Sequence, residues 1–85
     1  MGTPLYTAPE MLEQNQSGKA TDFWALGCII YELLSGKTPF DSENSGQVFT
    51  NIMERNLKYP QYFDPITIDL IDKLLQYNPE DRLGV

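Results

Sequence analysis

Any chemistry in this chain has to be done without imidazole. It contains no histidine, and its one cysteine, Cys28, lies inside the apolar run Trp24-Ala25-Leu26-Gly27-Cys28-Ile29-Ile30-Tyr31. A thiol attacks as its thiolate, which needs a base or a positive neighbour to form, and no base is evident around this one. Cys28 therefore reads as an inert buried thiol, without a redox or nucleophilic role. A single cysteine excludes an internal disulfide, and without histidine a zinc site lacks ligands. What remains is an excess of carboxylates: twelve acidic residues against six basic ones give a net charge of −6. That balance disfavours non-specific attraction to nucleic acid or anionic lipid and points to basic partners. With no disulfide framework, a cytoplasmic or nuclear setting is expected.

The elements that would position these groups centre on residues 21–36, a helix apolar nearly all round. Thr21 or Asp22 is expected to cap its start, and Gly36 suits a left-handed stop. Such a helix must be covered on several sides by its own protein. At about 15 residues, and carrying Asp22 and Glu32, it is too short and too charged to span a bilayer. Nor does the chain open with a basic stretch followed by an apolar one, so no secretory signal is read.

Eighty-five residues allow one domain, which at this size buries only about 60–65% of its unfolded surface. The apolar and aromatic content, 41% and 12%, is that of a globular segment. Residues 1–8 read as an irregular loop. Pro9 opens a two-turn helix through Gln14, and 15–20 form a polar loop. After Gly36, Pro39 turns the chain and Phe40 folds back onto the core. Helical spacing of Val48, Phe49, Ile52 and Met53 predicts a third helix over 47–55, followed by an extended connector over 56–63. Asp64-Pro65 is a cap followed by proline at the first helical position, and the periodicity of Ile68, Ile71, Leu74 and Leu75 carries a fourth helix to about Tyr77. Asn78-Pro79 ends it. The expected fold is all-α, with about four helices and loops of ordinary length.

Four stretches then read together: Gly2-Thr3-Pro4-Leu5-Tyr6-Thr7-Ala8-Pro9-Glu10, Asp22-Phe23-Trp24-Ala25-Leu26-Gly27, Gly36-Lys37-Thr38-Pro39-Phe40 and Asn78-Pro79-Glu80-Asp81-Arg82-Leu83-Gly84. In order and spacing they resemble the second half of a eukaryotic protein kinase domain. The first is similar to the end of the activation segment, and the second to the long buried helix of the large lobe. Arg82-Leu83-Gly84 and the run from Trp24 to Tyr31 look most like the serine/threonine group containing the cyclic-nucleotide-dependent and phosphoinositide-dependent kinases. The resemblance covers residues 1–85 and implies a partial large lobe, from the end of the activation segment onward.

Residue by residue, the resemblance implies the following. Thr3 matches the threonine that supports the catalytic aspartate and lysine. Pro4, Tyr6 and Thr7 match the floor that receives the substrate residue after the phosphoacceptor, Thr7 being more polar than the apolar residue some related kinases use. Glu10 and Arg82 match a glutamate–arginine pair that ties the activation segment to the helices below; with Arg82 so near the end of the chain, fraying of that pair is expected. Asp22 matches an aspartate accepting hydrogen bonds from the catalytic loop, beside the alternative of a plain cap. Trp24 and Gly27 are core residues. Glu32 matches a glutamate that binds a substrate arginine in basophilic members, beside the alternative of a solvated helix-end charge. A carboxylate can hold a guanidinium through two charge-assisted hydrogen bonds.

ATP and magnesium serve the family through a glycine-rich loop, a lysine, a catalytic-loop aspartate and asparagine, and Asp-Phe-Gly. These lie upstream of the activation segment's end, so this chain is expected to bind no cofactor and to be inactive alone. It reads as a piece of a kinase whose parent phosphorylates protein serine and threonine, whether from a shortened gene, a relic or an excision. The alternatives are a non-catalytic module that competes for kinase substrates or regulators through residues 4–7 and the helix over 47–55, and a small helical domain with accidental matches. Expected partners are a protein or peptide substrate of basic character. One side of the apolar helix is expected to lie bare, giving marginal stability or self-association.

Overall fold

The computed structural model describes residues 4–16 and 18–84. Those residues form four α-helices, α1 (Pro9–Gln14), α2 (Lys19–Ser35), α3 (Ser45–Glu54) and α4 (Pro65–Leu74), and a closing 3₁₀ turn at Pro79–Asp81, with no strand among the described residues. The all-α expectation holds.

Two helices begin earlier than their apolar pattern. In α2 the helix starts at Lys19, with Gly18 at the N-cap and no side-chain cap bond. Thr21 and Asp22 therefore do not cap it, contrary to the sequence reading. Asp22 lies exposed in the first turn, where its charge suits the positive end of the helix dipole, while Thr21 is turned to another use described below. In α3 the start moves from residue 47 to Ser45, because Asn44 Oδ1 accepts the N–H groups of Gly46 (2.7 Å) and Gln47 (3.4 Å). Gly36 stops α2 as expected, at φ 85°, its N–H donating to the Glu32 carbonyl at 2.8 Å.

Asp64 caps α4 through the Thr67 N–H at 2.9 Å, but the helix ends at Leu74 instead of near Tyr77. The reason is tertiary. In a longer helix the Tyr77 N–H would take the Lys73 carbonyl, which here accepts from Leu83 N–H at 2.9 Å, while the carbonyls of Leu75, Gln76 and Tyr77 accept from Arg55 Nε (2.5 Å), Arg82 Nε (2.8 Å) and Arg82 Nη2 (3.2 Å). Carbonyls at a helix end need partners from somewhere, and here arginine side chains from α3's C-cap and from beyond the 3₁₀ turn supply most of them.

The main contact is α2 on α4. Gly27 permits it: a Cβ there would come within 2.9 Å of both Leu74 Cβ and Leu75 Cδ2. Around this seam Trp24, Cys28, Phe40, Val48, Ile52, Ile71 and Leu75 are fully buried. Phe40 does fold back, stacking on Trp24 at 5.3 Å between ring centroids and 11° between planes. Burial pushes the Cys28 thiol up to about 12, so it stays protonated at neutral pH, as its inert reading requires.

The helices form a slab of 34 × 32 × 19 Å, about two layers deep at the roughly 8–10 Å spacing of packed helices. An all-round apolar helix cannot be covered on every side by so thin a body. Leu26, Ile29 and Leu33, on one face at i, i+3 and i+7, are 42%, 43% and 80% exposed.

Candidate functional site

Two constellations bring distant residues together. The first sits where the N-terminal segment meets the second half of α2. Tyr6 donates its phenolic hydrogen to Glu32 Oε1, and that hydrogen bond, with burial and the carboxylate's charge behind it, holds the phenol above its ordinary pKa. Tyr6 thus remains a donor through the neutral range and fixes one oxygen of Glu32, the second having no hydrogen-bond partner among the described residues. Around Tyr6 the Thr7 N–H donates to the Pro4 carbonyl at 3.4 Å, so Pro4 and Thr7 close the turn that carries it. Tyr6 is exposed and Glu32 partly so. A half-solvated carboxylate with one oriented oxygen is a receptor for a cation.

The second constellation is buried. Arg82 is 2% and Glu10 9% exposed, and the two meet fork to fork, Arg82 Nη1 on Oε2 at 2.6 Å and Nη2 on Oε1 at 2.7 Å. The remaining donors go to the carbonyls of Gln76 (Nε, 2.8 Å), Ala20 (Nη1, 2.9 Å) and Tyr77 (Nη2, 3.2 Å). All five guanidinium N–H groups are therefore used. Its central carbon also lies over the Trp24 ring, 4.9 Å from the centroid, a favourable cation–π geometry. Thr21 Oγ1 donates to Glu10 Oε2 at 2.8 Å. Burial alone would raise the Glu10 carboxyl, but the hydrogen bonds from Arg82, backbone and Thr21, together with the arginine's charge, outweigh it and hold the group below the usual carboxylate range. In this structure the pair is closed, every guanidinium donor being taken by backbone or carboxylate.

Of the residues singled out by sequence, Tyr6 meets Glu32, with Pro4 and Thr7 in the turn around Tyr6, and Glu10, Trp24 and Arg82 form one buried cluster. Asp22 joins neither, and its side chain makes no hydrogen bond among the described residues. Thr3 lies outside the described residues. Sequence reasoning missed Thr21 as a partner of Glu10 and the three carbonyls that receive Arg82. A signal for the latter existed, since an arginine matched to one carboxylate still has three donors to place. It also missed Arg55, whose Nη2 pairs with Asp72 at 2.7 Å, and Tyr77, whose hydroxyl donates to Glu13 at 2.6 Å and ties α1 to the end of the chain.

Comparison with known proteins adds a family. The profile described as "Protein kinase domain" matches residues 1–85. The chain is 46% identical over 99% of its length to the serine/threonine-protein kinase cek1 of Schizosaccharomyces pombe, of which it covers 7%. It is 46% identical over 98% of its length to the cAMP-dependent protein kinase catalytic subunit of the same yeast, covering 16% of that protein. To protein kinase C of Drosophila melanogaster it is 39% identical over 98% of its length, covering 11%. The chain thus spans a small part of the length of the relatives it matches.

Proposed function

Since the chain belongs to the protein kinase domain family, we propose that it forms the substrate-side edge and part of the helical scaffold of a serine/threonine kinase that transfers the γ-phosphoryl group of ATP to protein hydroxyls. The observation that carries this reading is the Tyr6–Glu32 hydrogen bond, which joins residues 26 apart in sequence into one receptor. In it Pro4, Tyr6 and Thr7 form the floor under the residue that follows the phosphoacceptor. Glu32, oriented by Tyr6, accepts a substrate arginine. Thr3 supports the catalytic groups, and Asp22, exposed at the start of α2, accepts from catalytic-loop backbone. ATP and magnesium are held by residues other than these 85, which contain no His-Arg-Asp or Asp-Phe-Gly triplet, so we assign the chain no phosphoryl transfer by itself.

The test is kinetic. In a kinase containing this chain, Glu32→Gln removes the charge and keeps the shape. KM for peptides with an arginine near the acceptor is expected to rise roughly tenfold, the worth of one charge-assisted pair at a part-exposed site, with kcat and the KM of arginine-free peptides unchanged. Tyr6→Phe should give the same pattern more weakly, because it frees Glu32 without neutralising it. An unchanged KM for arginine peptides in Glu32→Gln would reject the assignment.

The bare stripe of Leu26, Ile29 and Leu33 supports a second property of the isolated chain, self-association through α2. Sedimentation equilibrium should show concentration-dependent dimers or larger species that shift to monomer in Leu33→Lys. A monomer at all concentrations, binding no hydrophobic dye, would contradict it.

A further inference from the structure

A cavity of about 970 Å³ opens between the end of α2, the loop after it, the end of α3 and the segment leading to α4, and neither Tyr6 nor Glu32 lines it. Its size is at the upper end of small-molecule sites, about 300–1,000 Å³. Tyr31, Tyr59 and Tyr62 contribute its aromatic lining. Tyr31 is held by donating to the Lys58 carbonyl at 2.5 Å and by edge contact with Phe63 at 5.4 Å, so that part of the wall is preformed.

The charge around this cavity runs against that of the chain. Of six cationic residues in a molecule of net charge −6, three, Lys37, Arg55 and Lys58, line it. Arg55 is already paired with Asp72. Lys37 and Lys58 have no ion-pair partner among the described residues. The one acidic residue in the lining, Asp41, is engaged by the Ser42 N–H at 2.8 Å.

We propose that this cavity binds a small aryl anion: a flat ring against the tyrosines, with a phosphate or carboxylate group reaching Lys37 and Lys58. A cationic ligand is disfavoured by the two uncompensated lysines. A purely aliphatic one would forgo the aromatic walls, where a ring gains both buried area and offset stacking.

The full chain, isotopically labelled, is titrated with phenyl phosphate, benzoate, inorganic phosphate and benzyl alcohol while its amide resonances are followed. The expected result is saturable shifts confined to residues 31–41 and 51–62 with phenyl phosphate and benzoate, the affinity falling as potassium chloride is raised. Phenyl phosphate binding more tightly than benzoate makes phosphate the preferred group, and the reverse makes it carboxylate. Inorganic phosphate and benzyl alcohol, each lacking half of the recognition, should bind at least tenfold more weakly. Lys37→Gln/Lys58→Gln, at two exposed side chains, should weaken phenyl phosphate roughly tenfold, the combined worth of two solvent-exposed charge pairs, with the unliganded spectrum otherwise preserved. Absence of saturable shifts would overturn the proposal, as would equal binding of benzyl alcohol, or affinity unchanged in the double variant. An acidic tyrosine-containing peptide binding the same residues more tightly than any small anion would overturn it in favour of a protein partner.

Discussion

Replacing Arg82 by Ala is expected to cost about 3–5 kcal/mol, the usual penalty when one partner of a buried pair is removed and the other charge is left uncompensated. Glu10 then keeps only Thr21 as a side-chain donor, and the carbonyls of Ala20, Gln76 and Tyr77 lose theirs. Set against the roughly 5–15 kcal/mol of a typical domain, such a loss takes most of the stability of one at the low end of that range. Urea denaturation followed by circular dichroism reads the effect directly. Arg82→Lys should recover little of it, since an ammonium has three donors on a compact head and cannot replace a planar fork serving both a carboxylate and three carbonyls. Adding Glu10→Gln to Arg82→Ala should restore part of the loss by removing the stranded charge, which a simple packing role for Arg82 would not produce. A cost below about 1 kcal/mol, the value of an exposed pair, would show that the cluster is not closed to water.

The same pair sets an acid limit. Glu10 has a folded-state pKa depressed below its ordinary value of 4.5, so the unfolded chain binds its proton first as pH falls. Its contribution is complete above the unfolded pKa and is lost as pH drops through the folded one. Stability should therefore decline below about pH 4.5 more steeply in the parent chain than in Glu10→Gln.

Trp24→Ala is the second large loss, about 3–5 kcal/mol for a fully buried aromatic. Trp24 joins both halves of the structure, stacked on Phe40 and in cation–π contact with the Arg82 guanidinium. Its loss should therefore couple to that of Arg82, the double variant costing less than the sum of the singles. Trp24→Phe is expected to be milder. It keeps a ring for the stack, and the indole N–H it removes is buried with no hydrogen-bond partner among the described residues. If Trp24→Phe proves as damaging as Trp24→Ala, the indole N–H carries more than its surroundings indicate.

How legible these features were depended on the range of the interactions that make them. Pro9 and Gly36 announced helix ends because proline and glycine act through their own backbone. Asp64 did so through a bond three residues away. The start of α2 departs from its pattern because Thr21, a good cap by type, faces a carboxylate eleven residues earlier. The end of α4 departs from its pattern because the Lys73 carbonyl, which a helix to Tyr77 would use, accepts from Leu83 N–H ten residues on. Lys37 and Lys58 look like ordinary surface charges in the sequence, since nothing local says that two loops on either side of α3 wall one cavity.

By itself the sequence determined the all-helical class and the all-round apolar character of α2, which follow from residue type and short spacing. The pairing of Glu10 with Arg82 and the bare side of α2 came only as what the kinase resemblance implies. Only the tertiary structure decided that Arg82 is fully enclosed, that Tyr6 orients Glu32, that Asp22 stands apart, and that half the cations of a −6 chain gather at one cavity. Each of these depends on which carbonyls and carboxylates long-range packing leaves free, and free donors and acceptors are a property of the folded assembly of helices.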